Sequence, residues 1–143
     1  MNKQEMKYQY FIASRWRNRD QVLELVRKLR GKGKTVYCFL DAPHVIKRTM
    51  NDPEEDMKEF ESRDWRNDRY VREVFENDLK AEKEAECLIL LLPAGKSAHI
   101  EAGIAYGLGK KCILIGEQKE AESLYLIFNE FYSKIDEFIT SIK

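Results

Sequence analysis

The sequence predicts a single α/β domain, residues 1–143, built on an open parallel sheet of five strands with helices on both faces. Three observations carry this. Short apolar runs alternate with amphipathic helical stretches along the chain, the order that builds strand–helix–strand units. The central run, Cys87 to Leu92, is apolar at every position, as a strand is when both its faces are covered. Apolar residues make up 43% and charged residues 35% of the chain, which suits a folded core and argues against disorder.

The elements follow in order. Tyr8 to Ala13 (YQYFIA) reads as the first strand. In Asp20 to Arg30, Val22, Leu25, Val26 and Leu29 recur on one helical face, and Gly31 and Gly33 stop the helix. Thr35 to Leu40 is the second strand and enters a turn at Asp41-Ala42-Pro43. Residues 43–66 are polar and charge-dense without a clear period, and read as irregular. A helix resumes near Asn67 and runs to Ala85, with Val71, Val74, Phe75 and Leu79 facing the core. Cys87 to Leu92 is the third strand, Ser97 to Gly109 a helix and Lys111 to Gly116 the fourth strand. A short helix over Glu122 to Phe128, a fifth strand over Glu130 to Ser133 and an amphipathic helix over Lys134 to Ile142 complete the chain.

Charge and composition exclude several classes of function. Lys plus Arg and Asp plus Glu both total 25, so the net charge is zero and nothing directs the chain to nucleic acid. The longest apolar run is far too short to span a bilayer, and the N-terminus lacks the apolar core of a secretory signal. A cytoplasmic protein without membrane contact is expected. Cys38, Cys87 and Cys112 are scattered within or beside apolar runs, where a thiol behaves as a small core residue. Neither they nor His44 and His99 have metal-ligand spacing, so no metal and no cofactor is expected.

In open parallel sheets, ligands bind beyond the carboxyl ends of the strands. Three loops therefore matter: Ser14–Arg19, Asp41 onward, and Pro93–Ser97. The third, within LLLPAGKSAHIEAG, has the Gly95-Lys96-Ser97 tail of a phosphate-binding loop. The full pattern needs a glycine five residues before Gly95, but that position is Leu90, within the strand. A nucleotide triphosphatase is excluded. Ser97 remains a candidate N-cap, beside Gly95 at a helix start able to hold one anion or sugar hydroxyl.

Glu101 follows about one turn into that helix, among Ala98, Ala102, Gly103 and Ala105, with Gly107 a turn further on. Two helical glycines imply that something packs close: a ligand, the sheet, or the same helix of another subunit. A glutamate in such surroundings is either a nucleophile or general acid/base, or an exposed first-turn charge favoured by the helix dipole.

Two segments tip the balance. Phe75-Glu76-Asn77-Asp78-Leu79 resembles the aromatic-x-Asn-Asp-Leu segment of the nucleoside 2-deoxyribosyltransferase family. Glu101 to Lys110 (EAGIAYGLGK) is similar to that family's E-x-G-x-A-x-x-x-G-K segment, and the spacing between the two also fits. The resemblance covers residues 70–116 and implies a flavodoxin-like (Rossmann-like) fold. It further implies cleavage or exchange of the N-glycosidic bond of a nucleoside or (deoxy)nucleotide. Glu101 would be the nucleophile of a covalent glycosyl-enzyme intermediate, and Asp78 a substrate-holding carboxylate. The chain departs from the family at Ser14-Arg15-Trp16-Arg17, where Gly-Pro is usual. It departs again at Ala94 or Gly95, where a second aspartate is usual.

Arg15, Arg17 or Arg19, with Ser14 and Ser97, would suit a substrate phosphate, and Asp41 a ribose hydroxyl. His99 points about 200° away from Glu101 on an ideal helix and would serve a subunit contact or a leaving group. The implied partner is a small-molecule nucleoside or nucleotide, in a homo-oligomer whose contact uses the Ala/Gly-rich helix and Tyr125, Phe128, Phe131 and Tyr132. Asn129 would reach a neighbour's site. Two other readings stay open: an NAD-cleaving glycohydrolase like Toll/interleukin-receptor-type domains, and a non-catalytic nucleotide-binding sensor.

Overall fold

The computed structural model describes residues 6–42, 52–120 and 122–142. The strands are β1 (Tyr8–Ala13), β2 (Val36–Cys38), β3 (Ala85–Leu91), β4 (Lys111–Ile115) and β5 (Glu130–Tyr132). The helices are α1 (Arg19–Gly31), α2 (Pro53–Glu61), α3 (Arg69–Lys83), α4 (Lys96–Gly107) and α5 (Ile135–Ser141), with 3-10 turns at Trp16–Asn18 and Ser123–Ile127. All four strand pairings are parallel, in the order β2-β1-β3-β4-β5. This is the flavodoxin-like order, whose direction of winding reverses between β1 and β3.

Alternation along the strands divides the core into two layers. Phe11, Ala13, Leu88, Leu90, Cys112 and Leu114 face one side, with Ala81 of α3 and Ala98, Ala102 and Ala105 of α4. Ile12, Ile89, Leu91, Ile113 and Ile115 face the other, under Val22, Leu25, Val26 and Leu29 of α1 and Ile135 and Phe138 of α5. Strand β3 supplies both layers, which is why its run has no polar interruption after Cys87.

Several expectations need correction. Residues 52–66 are not irregular throughout: they contain α2. Asp52 caps it by accepting from Glu54 N–H, proline occupies the first turn, and Glu54, Glu55 and Asp56 complement the helix dipole. The start signals were present, but Met57 and Phe60 alone make no apolar stripe. Arg17 of the first 3-10 turn holds α2 through Glu54 (2.5 Å) and Glu61 (3.9 Å). Arg63 joins Glu59 to Asp68 at the start of α3 and lies over the Tyr70 ring. On α3, Phe75 is 54% exposed; the inward strip is Val71, Val74, Asp78 and the buried pair Ala81 and Glu82. β2 is shorter than the apolar run suggested, Gly31 lies inside α1, and the left-handed residue after that helix is Gly33 (φ 77°). Pro43 and His44 lie outside the described residues.

Gly116 fixes how the end of β3 meets the end of β4. Its φ is 111°, and a Cβ there would lie 2.9 Å from Leu92 Cβ and 3.3 Å from the Leu92 carbonyl oxygen. Leu92 N–H in turn donates to Ile115 O at 2.8 Å. Gly116→Ala is expected to cost roughly 2–4 kcal/mol, from left-handed strain and overpacking together. Urea denaturation measures it, and a loss under about 1 kcal/mol would mean that the loop relaxes freely.

Candidate active site

The carboxyl ends of β1 and β3 meet at Ser14 and the Leu92–Pro93 turn. Ser14 is buried; its Oγ donates to Leu91 O at 2.8 Å and accepts from Asn18 Nδ2 at 3.1 Å. Asn18 Oδ1 accepts from Gln21. Ser14 therefore ties the first loop to the third. Gly95, not Ser97, is the N-cap of α4, with no side-chain cap bond, and Ser97 is an exposed first-turn residue. The cap expectation failed because the helix begins one residue earlier, at Lys96.

That start makes Glu101 the sixth residue of α4, in its second turn, and half-buried. An exposed first-turn glutamate is thereby excluded. Glu101 shares a strip with Ala98 and Ala105, both buried against the sheet. Gly103 and Gly107 sit on the exposed side with open space at each Cβ position, so the sheet is not what packs on them. Small side chains are instead the rule on the inner face, letting α4 lie close to β3 and β4.

Across from Glu101, α3 presents Asp78 and, one turn later, Glu82. Asp78 Oδ1 accepts from the Tyr37 hydroxyl at 2.7 Å. The Tyr37 ring stacks on Phe11 with centroids 5.2 Å apart, which fixes the hydroxyl's aim. Burial first, then the charge and hydrogen bond of Asp78, push the Tyr37 hydroxyl far above its ordinary range. Burial likewise raises the Glu101 carboxyl well above the usual carboxylate value, with the Asp78 and Glu82 charges adding to it. The result is a cluster of three carboxyl groups and a phenol on the face of the sheet near the β1/β3 switch. Tyr37→Phe keeps the stacked ring and loses the hydroxyl, and should cost about 1–2 kcal/mol. A denaturant midpoint that does not move would show Asp78 equally well held by its other surroundings.

No family model and no curated protein sequence matches the chain. Among solved structures it is similar to a 2-deoxyribosyltransferase from the psychrotolerant bacterium Bacillus psychrosaccharolyticus. The TM-score is 0.67 at 17% identity, covering 93% of this chain and 91% of that one. It is also similar to the CMP N-glycosidase BcmB of Clostridium botulinum, with a TM-score of 0.50 at 21% identity, covering 92% and 95%. The likeness is one of fold.

The remaining candidates are dispersed. Asp41 pairs with Arg30 at 2.7 Å, and Arg30 also donates to Val36 O; the Asp41 carboxylate thus fastens α1 to the end of β2. Arg17 is engaged by α2, while Arg15 and Arg19 are exposed on the loop and at the start of α1. His99 Nδ1 donates to Gly95 O at 2.8 Å and Nε2 accepts from the Tyr125 hydroxyl at 2.9 Å, so the ring anchors the second 3-10 turn to α4. Asn129 Oδ1 accepts from Cys112 N–H, near the amino end of β4 and the far edge of the sheet from Pro93. Cys38 and Cys112 are buried and Cys87 half-buried, all as free thiols. Among the described residues no group of His, Cys, Asp or Glu is arranged to hold a metal ion, and no helix is long and apolar enough to cross a membrane.

Sequence reasoning missed Tyr37 and Glu82. The signal for Glu82 was its position four residues after Asp78, on the same helical face. Tyr37 could be found only by knowing that β2 lies beside β1 and under α3.

Proposed function

We propose that this chain cleaves or exchanges the N-glycosidic bond of a nucleoside or (deoxy)nucleotide, with Glu101 as nucleophile and Asp78 holding the sugar. The observation that carries this reading is the convergence of Glu101 with the Tyr37–Asp78 pair beside the sheet's switch point. Similarity of fold to a deoxyribosyltransferase and a CMP N-glycosidase supports the same class of bond.

The ionised Glu101 carboxylate attacks the anomeric carbon while the carbon–nitrogen bond breaks. The electron pair leaves with the base, which takes up a proton. A glycosyl ester remains on Glu101. Water, or a second base, then attacks the same carbon, releases the carboxylate and gives up a proton. The transition states carry positive charge on the sugar ring, which the Asp78 carboxylate stabilises. Since the attacking form is the anion and burial favours the acid, base release should rise with pH as Glu101 ionises.

The test is chromatographic detection of free base from a panel of nucleosides, deoxynucleotides and NAD, with and without an acceptor base. Free base from a nucleoside or nucleotide supports the proposal, and exchanged base identifies a transferase. Release of nicotinamide alone transfers the reading to NAD cleavage. A nucleotide bound and recovered intact overturns it in favour of a sensor.

A further inference from the structure

Glu82 is a fully buried carboxyl-bearing side chain, 1% exposed, and its Oε1 has no hydrogen-bond partner among the described residues. Burying a carboxyl group with an unsatisfied oxygen is costly, and a core position one turn from Ala85 would ordinarily be filled by leucine or methionine. The groups that face it come from every neighbouring element. Asp78 lies one turn back on α3, and the Ala105 backbone N–H approaches from α4. Lys110 precedes β4, and the Cys112 thiol lies on β4. Lys110 does not neutralise it by direct pairing: its Nζ donates to the carbonyls of Lys83 (3.0 Å) and Ala85 (2.5 Å). Glu101 lies on α4 one turn before Ala105, and the two carboxyl groups interact electrostatically.

We propose that Glu82 is a positioning residue for the reaction at Glu101, the proton holder of a carboxyl pair in which Glu82 carries the proton while Glu101 carries the charge. The role rests on Glu101 being the reacting group. Two carboxylates in one water-poor site resist simultaneous ionisation, so their protons are lost in two steps that belong to the pair. Glu82, deeper and half unsatisfied, is the better place for the retained proton, whereas half-buried Glu101 faces the edge where substrate would enter. Burial, only partly countered by Lys110, raises the Glu82 carboxyl to about 8, in keeping with a protonated group at neutral pH.

The experiment follows side-chain carboxyl carbons of 13C-labelled glutamate by NMR through a pH titration of the intact chain, its Glu82→Gln variant and its Glu101→Gln variant. The native chain should show two coupled steps. Each variant should show one step, lying below the native upper step by on the order of one pH unit. The acid limb of base release should stay at the native lower step in Glu82→Gln, because Glu82 is already uncharged when Glu101 ionises. Should that variant fail to fold, Glu101→Gln reports the same coupling from the other side. Independent titrations would overturn the proposal, as would an acid limb that moves to lower pH by about one unit in Glu82→Gln, since that shift would place the retained proton on Glu101. Coupled titration in a chain that releases no base supports the shared proton and refutes only the reaction proposed above.

Discussion

Glutamine at position 101 is expected to lower base release by at least about a thousandfold, roughly 4 kcal/mol of transition-state stabilisation. The amide matches the carboxyl in volume and cannot form the glycosyl ester, so the first step has no nucleophile. Removing such a group usually costs more than removing one that only positions substrate. The fold should not suffer. Burial and the nearby Asp78 charge already favour the uncharged form of Glu101, and glutamine supplies an uncharged group permanently. Unchanged or higher stability combined with lost activity would assign the loss to chemistry. Asp78→Asn should behave differently, raising KM more than it lowers kcat, because the group binds sugar rather than forming a bond to it. If Glu101→Gln retained more than about a tenth of native base release, the nucleophile assignment would fail.

The order of elements was legible because period and punctuation agree in this chain. The β3 run could only be a doubly covered strand, and the Val22, Leu25, Val26 and Leu29 stripe could only be a helix on its sheet. Helix α2 was not legible by period, since its stability rests on end effects and on ion pairs with Arg17 and Arg63. Glu101 stood out among small residues, and Asp78 through a resemblance in its segment. The rest of the cluster was hidden for a topological reason. Tyr37 meets Asp78 only because β2 pairs with the outer edge of β1 while α3 crosses above, a contact between residues 41 apart in sequence. The basic first loop was read as a phosphate site from its charge and its place beyond the first strand. Arg17 is occupied by two glutamates from α2, a helix the sequence had not disclosed, and Asp41 by an arginine from α1. Charge in a sequence announces a partner without saying whether that partner is already in the chain.

The second large effect expected is that the protein loses stability as pH rises from 4.5 to about 8. Glu82 has an ordinary value of 4.5 when exposed and about 8 when folded, raised chiefly by burial. The folded state therefore binds more protons than the unfolded chain throughout that interval, so each step up in pH favours unfolding. The contribution is fully present below 4.5 and lost through about 8; as the group is almost wholly buried, it amounts to roughly 3–5 kcal/mol. Glu101, raised for the same reason, acts with the same sign. Asp68 and Glu130 are held low by hydrogen bonds and ion pairs, so their stabilisation is lost only as pH falls through their depressed values. The two sets act in different windows, and the maximum should fall near the acidic end, close to pH 4.5. Against a typical total of about 5–15 kcal/mol, such a slope would be conspicuous in urea denaturation at successive pH values. Glu82→Gln should flatten it, and Glu101→Gln should flatten it further, since neither amide titrates. A native slope that is level or rising across this window would mean that water or a neighbouring cation solvates Glu82 far better than its burial implies. The same surroundings would then leave Glu101 an ordinary surface carboxylate.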